Sequence, residues 1–208
     1  AKSCNTSYAN IGLGLNKAKF ASLCKEMMFD TNLPVAYPFK QSSFVLNKDS
    51  NTDQVTQMAI GQGETLVTPM HMALITSAIA NKGTLMRPYI IDHTENYRGV
   101  TVKNFRPSVY GSLISESEAL KLQEFMSLVV SEGTGSKLSG QGYHAAGKTG
   151  SAEFSNVKGE SHAWFTGYAS TEEKGSIVVT VIVENGGAGS TTAVPIAKQM
   201  FDTYFSQP

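Results

Sequence analysis

The run Ile177-Val178-Val179-Thr180-Val181-Ile182-Val183 constrains the fold more than any other stretch of the chain. Side chains of an extended strand point alternately to opposite faces, so a run that is apolar at both parities has to be covered on both sides. Two further strand-like runs precede it, Tyr143 to Phe154 and Ala163 to Ser170, and polar, glycine-containing turns join them to the third, Ser176 to Glu184. Connections this short predict an antiparallel meander. Beyond Asn185-Gly186-Gly187-Ala188-Gly189, the closing segment carries Ile196, Met200, Phe201, Tyr204 and Phe205 on one stripe, and a helix there supplies part of the cover.

Earlier in the chain, Thr68-Pro69 opens a helix with a hydroxyl cap and a proline at its first position; Met72, Ile75, Ala78 and Ile79 form its apolar stripe up to Asn81-Lys82-Gly83. Ser115-Glu116-Ser117-Glu118 is a capping box, and Leu122, Phe125, Met126, Val129 and Val130 mark a helix of about four turns that stops at Gly133. From Ser7 to Phe29, Tyr8, Ile11, Leu15, Phe20, Leu23, Met27 and Met28 recur at helical spacing, which predicts two helical pieces broken near Gly12 and Gly14. Residues 30–57, with Pro34, Pro38 and the polar run Asn47 to Asn51, read as a long surface loop. Tyr89 to Phe105 alternates around Glu95-Asn96-Tyr97-Arg98-Gly99 as a hairpin at the protein's edge. The expected class is α/β of the α+β type, an antiparallel sheet flanked by helices, with no repeat and no linker that would divide residues 1–208.

Charge excludes several functions. Seventeen Lys+Arg balance 17 Asp+Glu without a basic stripe, which leaves nothing to neutralise a row of phosphates or to draw the chain onto an anionic membrane, so nucleic acid is not an expected partner. Charged residues make up 16% of the chain, below the usual quarter, a polar but uncharged surface of the kind extracellular enzymes carry. No apolar stretch approaches the roughly 20 residues that span a bilayer. The two cysteines, Cys4 and Cys24, build no disulfide framework and read as free thiols. His71, His93, His144 and His162 follow no metal-ligand spacing, so neither a metal nor a cofactor is expected. Met27, Met28, Met70 and Met72 are packing residues, and Trp164 suits either the core or a cleft edge. Gly61-Gln62-Gly63 lacks the strand and lysine of a phosphate loop and reads as a backbone turn before the Thr68 helix.

Chemistry concentrates in Lys148-Thr149-Gly150-Ser151, in the first of the three strands, flanked by the small residues Ala145, Ala146, Gly147 and Ala152. A strand this bare lets a ligand backbone approach closely. Near the other end of the chain stands the triplet Ser3-Cys4-Asn5. These residues resemble the penicillin-binding proteins, serine D,D-transpeptidases of bacterial peptidoglycan with the motif set S-x-x-K, S-x-N and K-T-G. Ala1 to Thr6, Ile60-Gly61-Gln62-Gly63-Glu64 followed by Val67-Thr68-Pro69, the turn Asn81-Lys82-Gly83, Val130 to Gly135, and Ala146 to Glu153 look like family landmarks in family order, so the resemblance covers essentially the whole chain.

The resemblance implies a penicillin-binding transpeptidase or β-lactamase-like fold, incomplete at its N-terminal side, and a set of roles. Ser3 would relay a proton near the leaving group and Asn5 would hydrogen-bond the substrate amide. Lys148 would attract the terminal carboxylate of a D-Ala-D-Ala stem peptide or of a β-lactam, with the Thr149 and Ser151 hydroxyls as donors. The Ser151 N–H would form half of an oxyanion hole, and Gly150 would keep the strand edge open. The nucleophilic serine belongs to an S-x-x-K segment upstream of S-x-N, and only two residues precede Ser3. The two matches present, Ser22 to Lys25 and Ser155 to Lys158, fall outside the family position and read as surface residues, so the nucleophile is unassigned.

A larger parent protein is therefore expected: a serine-type D,D-transpeptidase anchored at the outer face of the bacterial plasma membrane, with an N-terminal remainder that covers otherwise exposed flanks and acts as partner to this chain. A β-lactam-binding sensor or non-catalytic penicillin-binding module fits the same motifs. A β-lactamase fits less well, because no Glu-x-x-x-Asn segment of the class A kind lies between Ser3 and Lys148.

Overall fold

The computed structural model describes residues 1–154 and 160–207. Its centre is the three-stranded antiparallel sheet β5 (His144–Glu153), β6 (Ser161–Thr171) and β7 (Gly175–Val183), in the order β5-β6-β7. Register is continuous, with Lys148 opposite Thr166, Gly150 opposite Trp164 and Ser151 opposite Ala163. The doubly apolar run is covered on both faces as its pattern requires. One parity, Phe165, Val179 and Val181, packs against α6 (Ala193–Ser206) through Val194, Ala197 and Phe201. The other parity, Ala146, Tyr168 and the partly buried Val178, meets α4 (Pro69–Ala80) and α5 (Glu116–Ser131) through Ile75, Ile79 and Met126. Phe165 and Phe201 are fully buried, so truncating either to alanine costs about 3–5 kcal/mol.

Both helix starts follow their caps: Thr68 Oγ1 accepts from the His71 N–H, and Ser115 and Glu118 form the reciprocal box. The edge hairpin is present as β2 (His93–Glu95) and β3 (Thr101–Asn104), beside a second pair, β1 (Thr84–Met86) with β4 (Val109–Ser112). A short 3-10 helix, Ser136–Leu138, follows α5. No helix among the described residues is long and apolar enough to cross a membrane.

Three expectations need correction. The segment read as loop to residue 57 contains α3 (Thr52–Ala59), opened by a capping box between Asn51 and Gln54 that the surrounding polar run hides. The two N-terminal helical pieces are present as expected, α1 (Asn5–Gly14) and α2 (Lys17–Glu26), and the correction concerns only the break, which follows Gly14 alone. Gly12 does not break α1; it lies against Ala59 too closely for any side chain. On α6, Ala193, Val194, Ala197 and Phe201 are buried, whereas Ile196, Met200 and Tyr204 stay 40%, 48% and 36% exposed. Phe201 is fully buried and Phe205 packs against the core, so the expected stripe is right in those two residues and misses the small contact residues Ala193, Val194 and Ala197 beside them.

Candidate active site

β5 is bare for a packing reason. A Cβ on Gly147 would stand 2.5 Å from Cζ of Phe165, whose ring lies over it. A Cβ on Gly150 would stand 3.1 Å from that of Trp164, which is partly exposed beside it. The Phe165 ring thus requires glycine at 147, the space beside Gly150 is tight, and these small residues leave the outer edge of the strand clear. Among the described strands that edge has no partner, because β5 is terminal in the sheet.

Lys148 is half-buried on the α4–α5 side, and its Nζ donates to Ser3 Oγ at 2.7 Å, bridging 145 residues of sequence, and to the Thr149 carbonyl at 2.6 Å. Burial holds its ammonium below the ordinary lysine value of 10.5. Ser3 is exposed and has φ 51°, in the left-handed region, where a residue other than glycine is uncommon. This turn brings its hydroxyl to Lys148 immediately before Cys4, which precedes the first turn of α1 without a side-chain capping bond, and Asn5, the first residue of α1, which is exposed. The segment is backed by Gly133, where a Cβ would lie 3.0 Å from the carbonyl carbon of Ala1.

On the opposite parity, Thr149 is buried and its hydroxyl pairs with that of Thr134 at 2.6 Å. Ser151 Oγ accepts from the Gly189 N–H at 3.2 Å. The Ser151 carbonyl accepts from Gln62 Nε2 at 3.2 Å. The Thr149 and Ser151 carbonyls are therefore both taken by side chains, and in an extended strand the N–H and C=O of one residue leave on the same side. These alternate residues turn their backbone groups to the free edge.

The fold thus unites Ser3, Lys148, Thr149, Gly150 and Ser151, with Asn5 at the start of the adjoining helix. Three contributors are not evident from the sequence: Thr134, Gln62 and the Gly189 N–H. The stretches Val130 to Gly135 and Ile60 to Glu64 stand out as landmarks, yet nothing local shows which of their atoms would reach β5. Ser22 and Lys25 are exposed on α2. The Ser155 to Lys158 match lies outside the described residues.

A family model, the penicillin-binding protein transpeptidase domain, matches residues 1–202. The chain is 28% identical over 205 residues to the peptidoglycan D,D-transpeptidase PbpA of Mycolicibacterium smegmatis, covering 95% of this chain and 41% of that protein. It is 31% identical over 207 residues to the stage V sporulation protein D of Bacillus subtilis, covering 93% of this chain and 31% of that protein. Among solved structures, the imipenem acyl-enzyme complex of penicillin-binding protein A from M. tuberculosis is similar with a TM-score of 0.85 and 25% identity, over 98% of this chain and 46% of that one. The chain accordingly spans less than half the length of these relatives.

Proposed function

Because the chain belongs to the penicillin-binding protein transpeptidase family, we propose that residues 1–208 are the C-terminal part of a single D,D-transpeptidase domain that crosslinks peptidoglycan stem peptides. In this reading the parent protein transfers the acyl group of a D-Ala-D-Ala stem peptide, or is acylated by a β-lactam, at a serine of an S-x-x-K segment in an N-terminal remainder. That protein works outside the cytoplasm, at the outer face of the plasma membrane. The observation that carries the proposal is the 2.7 Å hydrogen bond from Lys148 to Ser3, which joins K-T-G to S-x-N.

The geometry supports a role for each residue in this reading. Lys148, held on a rigid strand, supplies positive potential for the ligand carboxylate and orients the Ser3 hydroxyl, which relays a proton to the leaving group. A pair of hydroxyls uses only one of its two protons between them, so the Thr134–Thr149 pair retains one to donate to the same carboxylate. Ser151 offers its N–H at the free edge as an oxyanion donor, a contribution of about 3 kcal/mol where such donors have been removed elsewhere. Asn5 hydrogen-bonds the ligand amide, and Gly150 leaves room for it.

In the complete protein, Lys148→Ala is expected to slow acylation by benzylpenicillin about tenfold or more, through loss of the carboxylate's charged partner. Peptide mapping of the adduct is expected to place it on an S-x-x-K serine outside this chain. An unchanged rate, or an adduct on Ser22, overturns the assignment.

A further inference from the structure

The contact between Gln62 and β5 is built on a rigid support. Where α3 ends, the Gly61 N–H donates to the Met58 carbonyl and the Gln62 N–H to the Gln57 carbonyl, both at 2.9 Å. Gly61 and Gly63 have φ of +79° and +80°, the left-handed region that glycine occupies without cost, so a tight turn presents Gln62 at its apex. The backbone is pinned, and the side chain crosses to a strand 89 residues later to donate to the Ser151 carbonyl at 3.2 Å.

That oxygen lies on the free edge of β5, where an extended chain would add through main-chain hydrogen bonds. An incoming N–H would sit about 2.7–3.2 Å from the same oxygen, where the Gln62 amide already takes one of the two lone pairs and crowds the approach. The Gln62 side chain also has a second place to go. A cavity of about 200 Å³ opens beside it, lined by Asp53, Gln54, Gln57 and Glu64 among others, whose carboxylate and amide groups can take up a displaced amide.

We infer that Gln62 is a placeholder: it satisfies the Ser151 carbonyl while no ligand is bound, and yields that acceptor to the acylamino N–H of a penicillin, a cephalosporin or a stem peptide by turning back over α3. This rests on the reading of β5 as the ligand-binding strand. Placement on a fixed turn makes the exchange one hydrogen bond for another at an edge that water also reaches.

The test uses the complete protein and two β-lactams. Benzylpenicillin carries an acylamino N–H; imipenem has a hydroxyethyl group in its place and has no need of the Ser151 carbonyl. Gln62→Ala removes the competitor and is expected to raise the ratio of benzylpenicillin to imipenem acylation rate constants by about two- to tenfold, the range for one neutral hydrogen bond. Gln62→Leu fills the space without donating and is expected to lower the ratio. Because each ratio is measured on one variant, general damage to folding cancels. A Gln62→Ala ratio that is unchanged or lowered overturns the inference, and a lowered one shows that Gln62 holds the ligand. Lys148→Ala separates the two readings: if it leaves both rate constants unchanged, the assignment of β5 fails. If it slows both while the Gln62→Ala ratio stays put, only the placeholder fails.

Discussion

Gly147→Ala is expected to destabilise the protein chiefly through collision with one buried ring. The new methyl would stand 2.5 Å from Cζ and 2.6 Å from Cε2 of Phe165, and 2.9 Å from the Thr166 carbonyl oxygen. Carbon atoms rest at about 3.5–4.0 Å, so the ring would have to retreat by roughly 1 Å. It has no route. Phe165 is fully buried, its ring packs edge-on to Phe201 at 6.5 Å between centroids, and it also overlies Gly167, where a Cβ would lie 2.6 Å from Cζ. Overpacking of this kind costs about 1–3 kcal/mol. With a urea m-value of about 2 kcal/mol/M, the unfolding midpoint of the complete protein is expected to fall by roughly 0.5–1.5 M. Phe165→Leu withdraws the colliding ring atoms and leaves only the Thr166 carbonyl contact, so the double variant is expected to lose less than the sum of the single losses, with a coupling of about 1 kcal/mol or more. Additivity within about 0.5 kcal/mol would refute the argument that the ring is what requires glycine here.

Two further predictions concern pH. Burial holds His71 below its ordinary value of 6.5; its Nε2 lies 2.7 Å from the Met27 carbonyl, and its Nδ1 has no partner among the described residues. The unfolded chain therefore binds a proton near pH 6.5 that the folded protein refuses until lower pH, so stability is fully present above 6.5 and declines as pH falls below it. His71→Gln is expected to flatten the urea midpoint between about pH 7 and 5, and coincident profiles for variant and wild type would count against it. The second concerns Lys148, whose burial places loss of its charge below 10.5, so benzylpenicillin acylation is expected to fall on the alkaline side before an ordinary lysine would titrate. Lys148→Arg, which stays charged, should move that limb upward whatever its absolute rate, and an unmoved limb assigns it to another group.

The elements legible from sequence are those whose cause is local. Thr68-Pro69 and the Ser115–Glu118 box each satisfy helix-end donors with atoms a turn away, and both helices begin there. The meander is legible because connections of so few residues leave adjacent strands no arrangement other than antiparallel. The Asn51–Gln54 box is equally local and equally readable, but α3 is only 8 residues long and follows directly on the polar run Asn47 to Asn51, so it reads as part of the loop. The exposed positions of Tyr8 and Ile11 on α1 and of Leu15 just beyond it are not legible, since helical spacing fixes which residues share a side and says nothing of which side is packed.

The same division runs through the site. By itself the sequence determined that Ser3, Asn5 and Lys148 to Ser151 are the residues with family motifs, that the Lys148 strand is bare, and that Ile177 to Val183 must be sandwiched, because residue type and alternation are properties of the chain alone. Only the tertiary structure decided that Lys148 touches Ser3, that Thr149 leans on Thr134, that Phe165 is the reason for Gly147, and that Gln62 stands at the Ser151 carbonyl. Each of these is a contact between residues brought together by packing on one face or edge of β5, and such contacts depend on which surfaces the core buries against each other, which no window of sequence contains.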